Sequence, residues 1–433
     1  MRWATLLLYA VLSTSVALAQ EDAIDVDAPQ LRFIRSYGGT NEMAPPVVLL
    51  QEVDDPSIVG SSFATIEFDI SASTIPNLYA LLVHCKPDWT EDDNTFLSSV
   101  VNRTSVFDWA IAPQRSRYYN YRGFLKVPNV QIDLRFSGNW KVKIYAMDDD
   151  RFLGEARIFI VDPQALCRFN FMTDFYEPKA RVSSIALTLE AIIDAPSSDL
   201  MDSYMHTTVF YRNHRWNEPF VVSNKYSYDN NIYDVGTHIA GVFPAAKVFR
   251  VSRIPAQNEY RVLDLTNLAM FPYTGEPVRM PLSDQRRNGM FIERSNDGAM
   301  VTSMVSSAND EYVPLEFILD PSPGYPSEHD VFIGGSFNNW KPDRSWMMSY
   351  DETLGRYRLR QWVRRGRHNY MYATGSVNVD DGSVRDLSYE EWEGNTASNS
   401  NSYIAFTYYT VQEYGGYDGI VAVGASNIYK SSR

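Results

Sequence analysis

Apolar and polar residues alternate with a period of two along most of this chain. That spacing places successive side chains on opposite faces of a β-strand. Ile66, Phe68 and Ile70 share one face, with Glu67 and Asp69 between them. Ile132, Leu134 and Phe136 repeat the pattern, and Val142 and Ile144 continue it after a Ser137-Gly138-Asn139 turn. Ile158 and Ile160 belong to the second arm of a hairpin predicted around Asp148-Asp149-Asp150. Farther along, Ile185, Leu187 and Leu189 alternate, Val209 and Tyr211 precede a turn region from Asn213 to Pro219, and Phe249 and Val251 oppose Val248, Arg250 and Ser252. The last series comprises Val313 to Leu319, Val331 with Ile333, Tyr357 with Leu359, Tyr370 with Tyr372, and Ile404 to Tyr408. Between these strands, Pro321, Pro323 and Pro326 punctuate a turn, and the small polar run from Asn395 to Ser402 reads as an exposed loop. Nothing sustains a helical period.

Short strands at turn-separated intervals predict an all-β protein of tandem β-sandwiches. The breaks fall at Asp162-Pro163 and before Asp310, giving three units at 31–162, 164–300 and 310–425. Aromatic residues make up 14% of the chain, including 28 Tyr and 9 Trp, which suits strands because rings pack well on pleated surfaces.

The first residues carry a different pattern. Arg2, an apolar run from Leu6 to Leu12, and Ala17 with Ala19 form a secretory signal peptide, with cleavage expected after Ala19. The run is broken by Ser13, Thr14 and Ser15, short of the roughly 20 apolar residues of a membrane-spanning helix. No Cys follows the cleavage position, so no lipid anchor is expected, and no other segment is long and apolar enough to span a bilayer, so stable membrane insertion is not expected either. The formal net charge of −14 argues against nucleic acid or an anionic membrane as partner. Cys85 and Cys167 could pair in an oxidising compartment, or stay as buried thiols, the reading favoured here.

The search for catalysis finds no His-Glu-x-x-His, no Gly-x-Ser-x-Gly and no phosphate-cradling glycine loop. His84 and Cys85 are adjacent on a strand, hence on opposite faces, and do not form a base–nucleophile pair. Asp148 to Asp150 suggest calcium, but three consecutive carboxylates cannot all aim at one ion without a special loop, and a solvated hairpin tip is the simpler reading. The expectation is a non-enzymatic binding protein with no cofactor and no metal.

The most informative local stretch is Val331 to Pro342, with its Gly334-Gly335-Ser336-Phe337-Asn338-Asn339-Trp340 turn. Followed by Gly355, Tyr357, Gly366, Tyr370 and Tyr372, it resembles the early-set, immunoglobulin-like domains that accompany glycogen- and starch-active proteins. That resemblance makes Trp340 and Tyr370 the candidate sugar or partner contacts, with carbohydrate the alternative ligand. The competing reading is that Trp340 packs over the end of the sheet.

A longer resemblance runs from about residue 31 to 425. His84-Cys85-Lys86-Pro87-Asp88-Trp89, Tyr119 to Asn129, Ser137-Gly138-Asn139-Trp140, Phe159-Ile160-Val161 and Arg212 to Trp216 fall in the order seen in plug proteins of the bacterial type IX secretion system. Tyr312 to Leu319, Val331 to Tyr372, Glu393-Gly394 and Tyr408 to Gly424 complete the series. Two places depart: Ala245-Ala246-Lys247 stand before Phe249-Arg250, and Arg286-Arg287 before Asn288-Gly289. The resemblance implies a periplasmic protein that binds a large outer-membrane translocon barrel and closes its periplasmic opening.

Overall fold

The computed structural model describes residues 28–55, 58–97, 102–194, 204–228, 236–242, 246–272, 276–287, 311–322, 324–396 and 401–427. The predicted signal peptide lies outside them. The protein is all β. Glu390–Glu393 forms a single turn of α-helix.

The first core forms where the alternation predicts it. Strands Gln30–Gly38, Ala64–Ser71, Tyr121–Val127 and Asp108–Ile111 make a four-stranded sheet in that order. Its inner residues Ile66, Phe68 and Ile70 are fully buried against Val142, Ile144, Ile158 and Ile160. The hairpin Gly138–Ala146 and Phe152–Val161 supplies those partners, turning through residues 147–150. Residues 132–136 are not a strand. Ile132 makes only an isolated bridge with Asn129, and Leu134 and Phe136 are partly buried on an irregular connection. Their alternation serves packing without a neighbour to complete a ladder.

Sheet membership does not follow the three sequence stretches. One nine-stranded sheet runs Phe220–Ser223, Met205–Arg212, Ser402–Val411, Tyr417–Asn427, Phe152–Val161, Gly138–Ala146, Leu78–Cys85, Arg103–Thr104, with Val47–Leu49 added beside Phe152–Val161. The C-terminal hairpin therefore leaves the stretch that precedes it. Its first strand pairs with Met205–Arg212 through Thr208↔Thr407 and Phe210↔Ala405. Its second strand meets Phe152–Val161 at Ile420↔Val161, extended by Asp162 N–H to the Ile420 carbonyl at 3.0 Å. Met205–Arg212 is buried at all eight positions, as expected for a central strand covered on both faces.

A four-stranded sheet, Leu166–Phe175, Ile185–Asp194, Ala246–Pro255 and Gly236–Val242, covers one side of this central region. Leu189, Phe249 and Val251 point into the shared core with Phe210, Tyr403 and Ala405. The other nine-stranded sheet is built around Arg367–Val377, Asp330–Gly335, Met347–Asp351, Arg356–Arg364 and Tyr312–Asp320. Leu315, Phe317, Ile333, Tyr370 and Tyr372 fill its core.

The described ends of the Asn395 to Ser402 run are not exposed as its composition suggests. Residues 397–400 lie outside the described residues, but Asn395, Thr396 and Asn401 are buried. Asn395 accepts the Gln257 N–H at 2.5 Å and donates to the carbonyls of Ser183 and Ile185 at 2.6 and 2.8 Å. Asn401 accepts from Asn213 Nδ2 at 2.7 Å. These side chains satisfy backbone groups where the C-terminal hairpin crosses into the central sheet, which is why small amides occupy the run. Both cysteines are free thiols. Cys167 lies against the close approach of Gly424, where a Cβ would meet its Sγ at 2.7 Å.

A candidate interaction site at the junction of three stretches

The Ser336–Asn338 turn sets the geometry of the predicted contact residues. Asn339 and Trp340 both take left-handed backbone, with φ of 53° and 56°. For a residue as bulky as Trp this costs about 1–2 kcal/mol, so the conformation persists only because packing fixes it. The indole is 3% exposed, edge-on to Tyr260 at 5.0 Å and under the Arg215 guanidinium at 5.2 Å. Tyr370 is 1% exposed and donates its hydroxyl to Asp284 at 2.7 Å. The two rings fall in separate clusters, Trp340 with Met371 and Ala373, Tyr370 with Tyr372. Alternation along Arg367–Val377 puts those clusters on opposite faces. The structure neither brings Trp340 and Tyr370 together nor leaves either ring a face open to solvent.

What the turn does present is Asn339. Its Nδ2 donates to the Ile34 carbonyl at 2.7 Å, and its own carbonyl accepts from Asn217 Nδ2 at 2.9 Å. Three distant stretches thus meet at one residue. Beside it opens a cleft of about 660 Å³. Ile34, Phe152 and Arg157 line one side, His214 and Trp216 another, and Lys341, Pro342 and Val384 the third. His214 and Trp216 stack at 5.2 Å with their planes 13° apart. Phe152 is half exposed.

The charges of the cleft are unevenly engaged. Glu42 pairs with Arg35 at 3.0 Å and Glu155 with Lys141 at 3.9 Å. Asp343 accepts from Ser345 N and Oγ at 2.8 and 2.5 Å, and Asp381 from Ser383 N and Oγ at 2.9 and 2.6 Å. Arg157 donates to the Trp216 carbonyl at 2.7 Å and lies over the Trp89 ring at 4.6 Å. Among the described residues no carboxylate is within ion-pair distance of it or of Lys341. Burial holds the Arg157 pKa below the usual arginine range. Lys341 keeps solvent contact, yet the cleft walls and then Arg157 hold its ammonium below the usual lysine range.

A second feature ties the first sheet to the third stretch. Glu67 and Asp69, the polar partners of Ile66 and Phe68, are 2% and 0% exposed. Glu67 accepts from Arg35 Nε at 2.9 Å and from Arg364 Nη2 at 2.6 Å. Asp69 accepts from Arg122 Nε at 2.6 Å and from the Tyr312 hydroxyl at 2.7 Å. Arg122 also pairs with Glu311 at 2.5 Å. Burial alone would raise the Glu67 pKa; Arg364, Arg35 and Arg122 outweigh it and hold the carboxyl at about 2. Tyr118 stacks on Trp362 beside this network at 5.4 Å.

The nearest approach to a catalytic constellation is Asp418. It pairs with His206 at 3.1 Å and Lys225 at 2.6 Å and accepts from the Tyr226 hydroxyl at 2.6 Å. His206 continues to Thr207 Oγ1 at 2.6 Å and Thr207 to Ser223 Oγ at 2.7 Å. Thr207 is wholly buried, so its hydroxyl has no access to a substrate. The chain of bonds fastens the residues after Phe220–Ser223 to the C-terminal hairpin. At the Asp148–Asp150 hairpin tip, Asp149 pairs with Arg151 and Asp150 accepts from Tyr79. No group of three or more potential ligands among the described residues is arranged to hold a metal ion.

Residues 32–162 match the family described as type 9 secretion system plug protein 1st domain. The amino-terminal part of the chain is thus similar to a plug-protein first domain, over less than half of the chain. No curated protein sequence matches the chain. A crystal structure of a hypothetical protein from Parabacteroides merdae ATCC 43184 aligns over 93% of this chain and 98% of its own, with a TM-score of 0.69 and 19% identity, which establishes a shared fold. The Yersinia pseudotuberculosis adhesin InvE aligns over 52% of each chain at 14% identity and a TM-score of 0.16, too low to carry an argument. The matched residues 32–162 supply Ile34, Phe152 and Arg157 to the cleft and Glu67, Asp69 and Arg122 to the ion network. The opposing residues of both come from beyond residue 162.

Sequence reading missed the cleft and the network alike. Glu67 and Asp69 look like solvent-facing residues of an amphipathic strand. No local signal marks Arg35, Arg122 and Arg364 as their partners.

Proposed function

We propose that this protein is a periplasmic plug. It binds the periplasmic opening of the type IX outer-membrane translocon barrel and keeps that opening closed when no cargo is engaged. The match of residues 32–162 to the plug-protein first domain carries this reading. The mechanics support it. A body that obstructs a wide channel must resist deformation, and here strands from positions 205–212 and 402–427 complete a sheet begun by residues 78–161. The buried network of Glu67, Asp69 and three arginines then clamps the first sheet to the third stretch. No helix among the described residues is long and apolar enough to cross a membrane.

We further propose that the three stretches 31–162, 164–300 and 310–425 act as one unit rather than as beads on a string. Release on cargo arrival requires a polar interface of moderate affinity, since obligate interfaces are larger and more apolar. With a net charge of −14, attraction to a basic channel rim supplies part of that affinity. The test is affinity purification of the tagged protein from membranes of its native host under mild extraction. Co-purification of a giant outer-membrane barrel, weakening as salt rises, is the expected result. Absence of any barrel overturns the reading, and salt-insensitive binding overturns its electrostatic part.

A further inference from the structure

The junction cleft has the character of a binding site that the plug reading does not itself assign. Its four carboxylates, Glu42, Glu155, Asp343 and Asp381, are each engaged within the protein. Of its three cations, Arg35 is paired with Glu42 and Glu67, whereas Arg157 and Lys341 have no carboxylate within ion-pair distance among the described residues. A chain with 53 acidic and 39 basic residues has carboxylates to spare, yet among the described residues Glu155 and Asp343 act on this pair only from beyond ion-pair distance. Next to the cations lies an apolar wall made by the stacked His214 and Trp216, the half-exposed Phe152 and Pro342. The volume of about 660 Å³ is that of a typical ligand cleft, enough for a short extended segment and one or two of its side chains.

Resting on the plug reading, we infer that this cleft receives an acidic segment of the barrel. A carboxylate of that segment bridges Arg157 and Lys341, and an adjacent aromatic or aliphatic side chain lies against Trp216 and Phe152. Charge-assisted hydrogen bonds to a planar guanidinium suit a carboxylate. Because the cleft is built from all three stretches around Asn339, occupancy reads the assembled state of the plug. A plug whose third stretch had separated from the first would lose the site.

The test uses the full-length protein and its barrel. Lys341→Glu reverses the charge at an exposed position of the cleft, and Lys179→Glu makes the same change in net charge at an exposed position away from it. Lys341→Glu is expected to weaken barrel binding about tenfold or more, and Lys179→Glu by no more than about twofold. A photoreactive p-benzoyl-phenylalanine in place of Phe152 is expected to crosslink to the barrel, and one in place of the exposed Val130 is not. If the wild-type protein recovers a barrel but Lys341→Glu binds like Lys179→Glu and position 152 gives no adduct, the cleft assignment falls and the plug reading stands. If the wild-type protein recovers no barrel, the plug reading falls first. Retention on a uronic-acid polymer, abolished by Lys341→Glu, would then overturn the assignment in favour of an anionic polysaccharide.

Discussion

Replacing Glu67 by Gln isolates what the buried ion network contributes. In the folded protein the carboxylate accepts from Arg35 and Arg364 and lies 3.3 Å from Arg122. Its side chain is almost fully buried, so solvent screening does not dilute these contacts. The folded pKa of about 2, against an ordinary 4.5, corresponds to about 3 kcal/mol at about 1.4 kcal/mol per tenfold. Glutamine keeps the shape but leaves the three guanidiniums under-compensated, and breaking a buried pair by removing one partner costs about 3–5 kcal/mol. Because the folded pKa is depressed, the contribution is complete above the unfolded value and is lost as pH falls through the folded one. Glu67→Gln therefore unfolds at markedly lower urea than wild type at pH 7, and the gap closes as pH drops from about 5 towards 2. A double-mutant cycle with Arg364→Met, read by urea titration, assigns the coupling to the interface between the first sheet and the third stretch. An Arg364→Met effect unchanged by Glu67→Gln, or a Glu67→Gln cost below about 1 kcal/mol, would refute the reasoning.

Three other predictions follow from individual side chains. Trp340→Ala should cost about 3–5 kcal/mol, visible as a lowered thermal midpoint, whereas loss of ligand retention with unchanged stability would restore the idea of an exposed platform. Burial, above all, lowers the His368 pKa from 6.5 to about 4; its Nε2 contacts the Arg364 carbonyl at 2.7 Å. As a base with a depressed pKa it costs stability as pH falls from about 6.5 to 4, and His368→Gln should flatten that window, which a ring-proton NMR titration of the wild type checks directly. Burial pushes the thiols of Cys85 and Cys167 up to about 12, so a thiol reagent at pH 8 should label neither in the native protein and both in denaturant; rapid native labelling would contradict their placement.

The alternation of apolar and polar residues determined the class of fold by itself, because a strand's two faces are set by its own sequence at a spacing of two residues. Ile66, Phe68 and Ile70, and equally Val313, Leu315, Phe317 and Leu319, point into cores as that spacing requires. The landmarks from His84 to Trp140 were likewise local, and they lie inside the matched plug-family region. What alternation cannot express is what covers the other face. Glu67 and Asp69 read as solvent-facing, but Tyr312 and Arg364, more than 240 residues away, lie across them and turn a polar face into a buried ion network. Trp340 and the Asn395 run went the same way: each is polar or aromatic in a turn, and each is enclosed by elements remote in sequence. Strand pairing over about 200 residues, as between Met205–Arg212 and Ser402–Val411, leaves no periodic trace in either segment. Local patterning thus established most strands and turns. Only the tertiary structure decided which polar faces are interior and which cations, Arg157 and Lys341, are left facing a cleft, because both depend on non-local burial rather than on residue type.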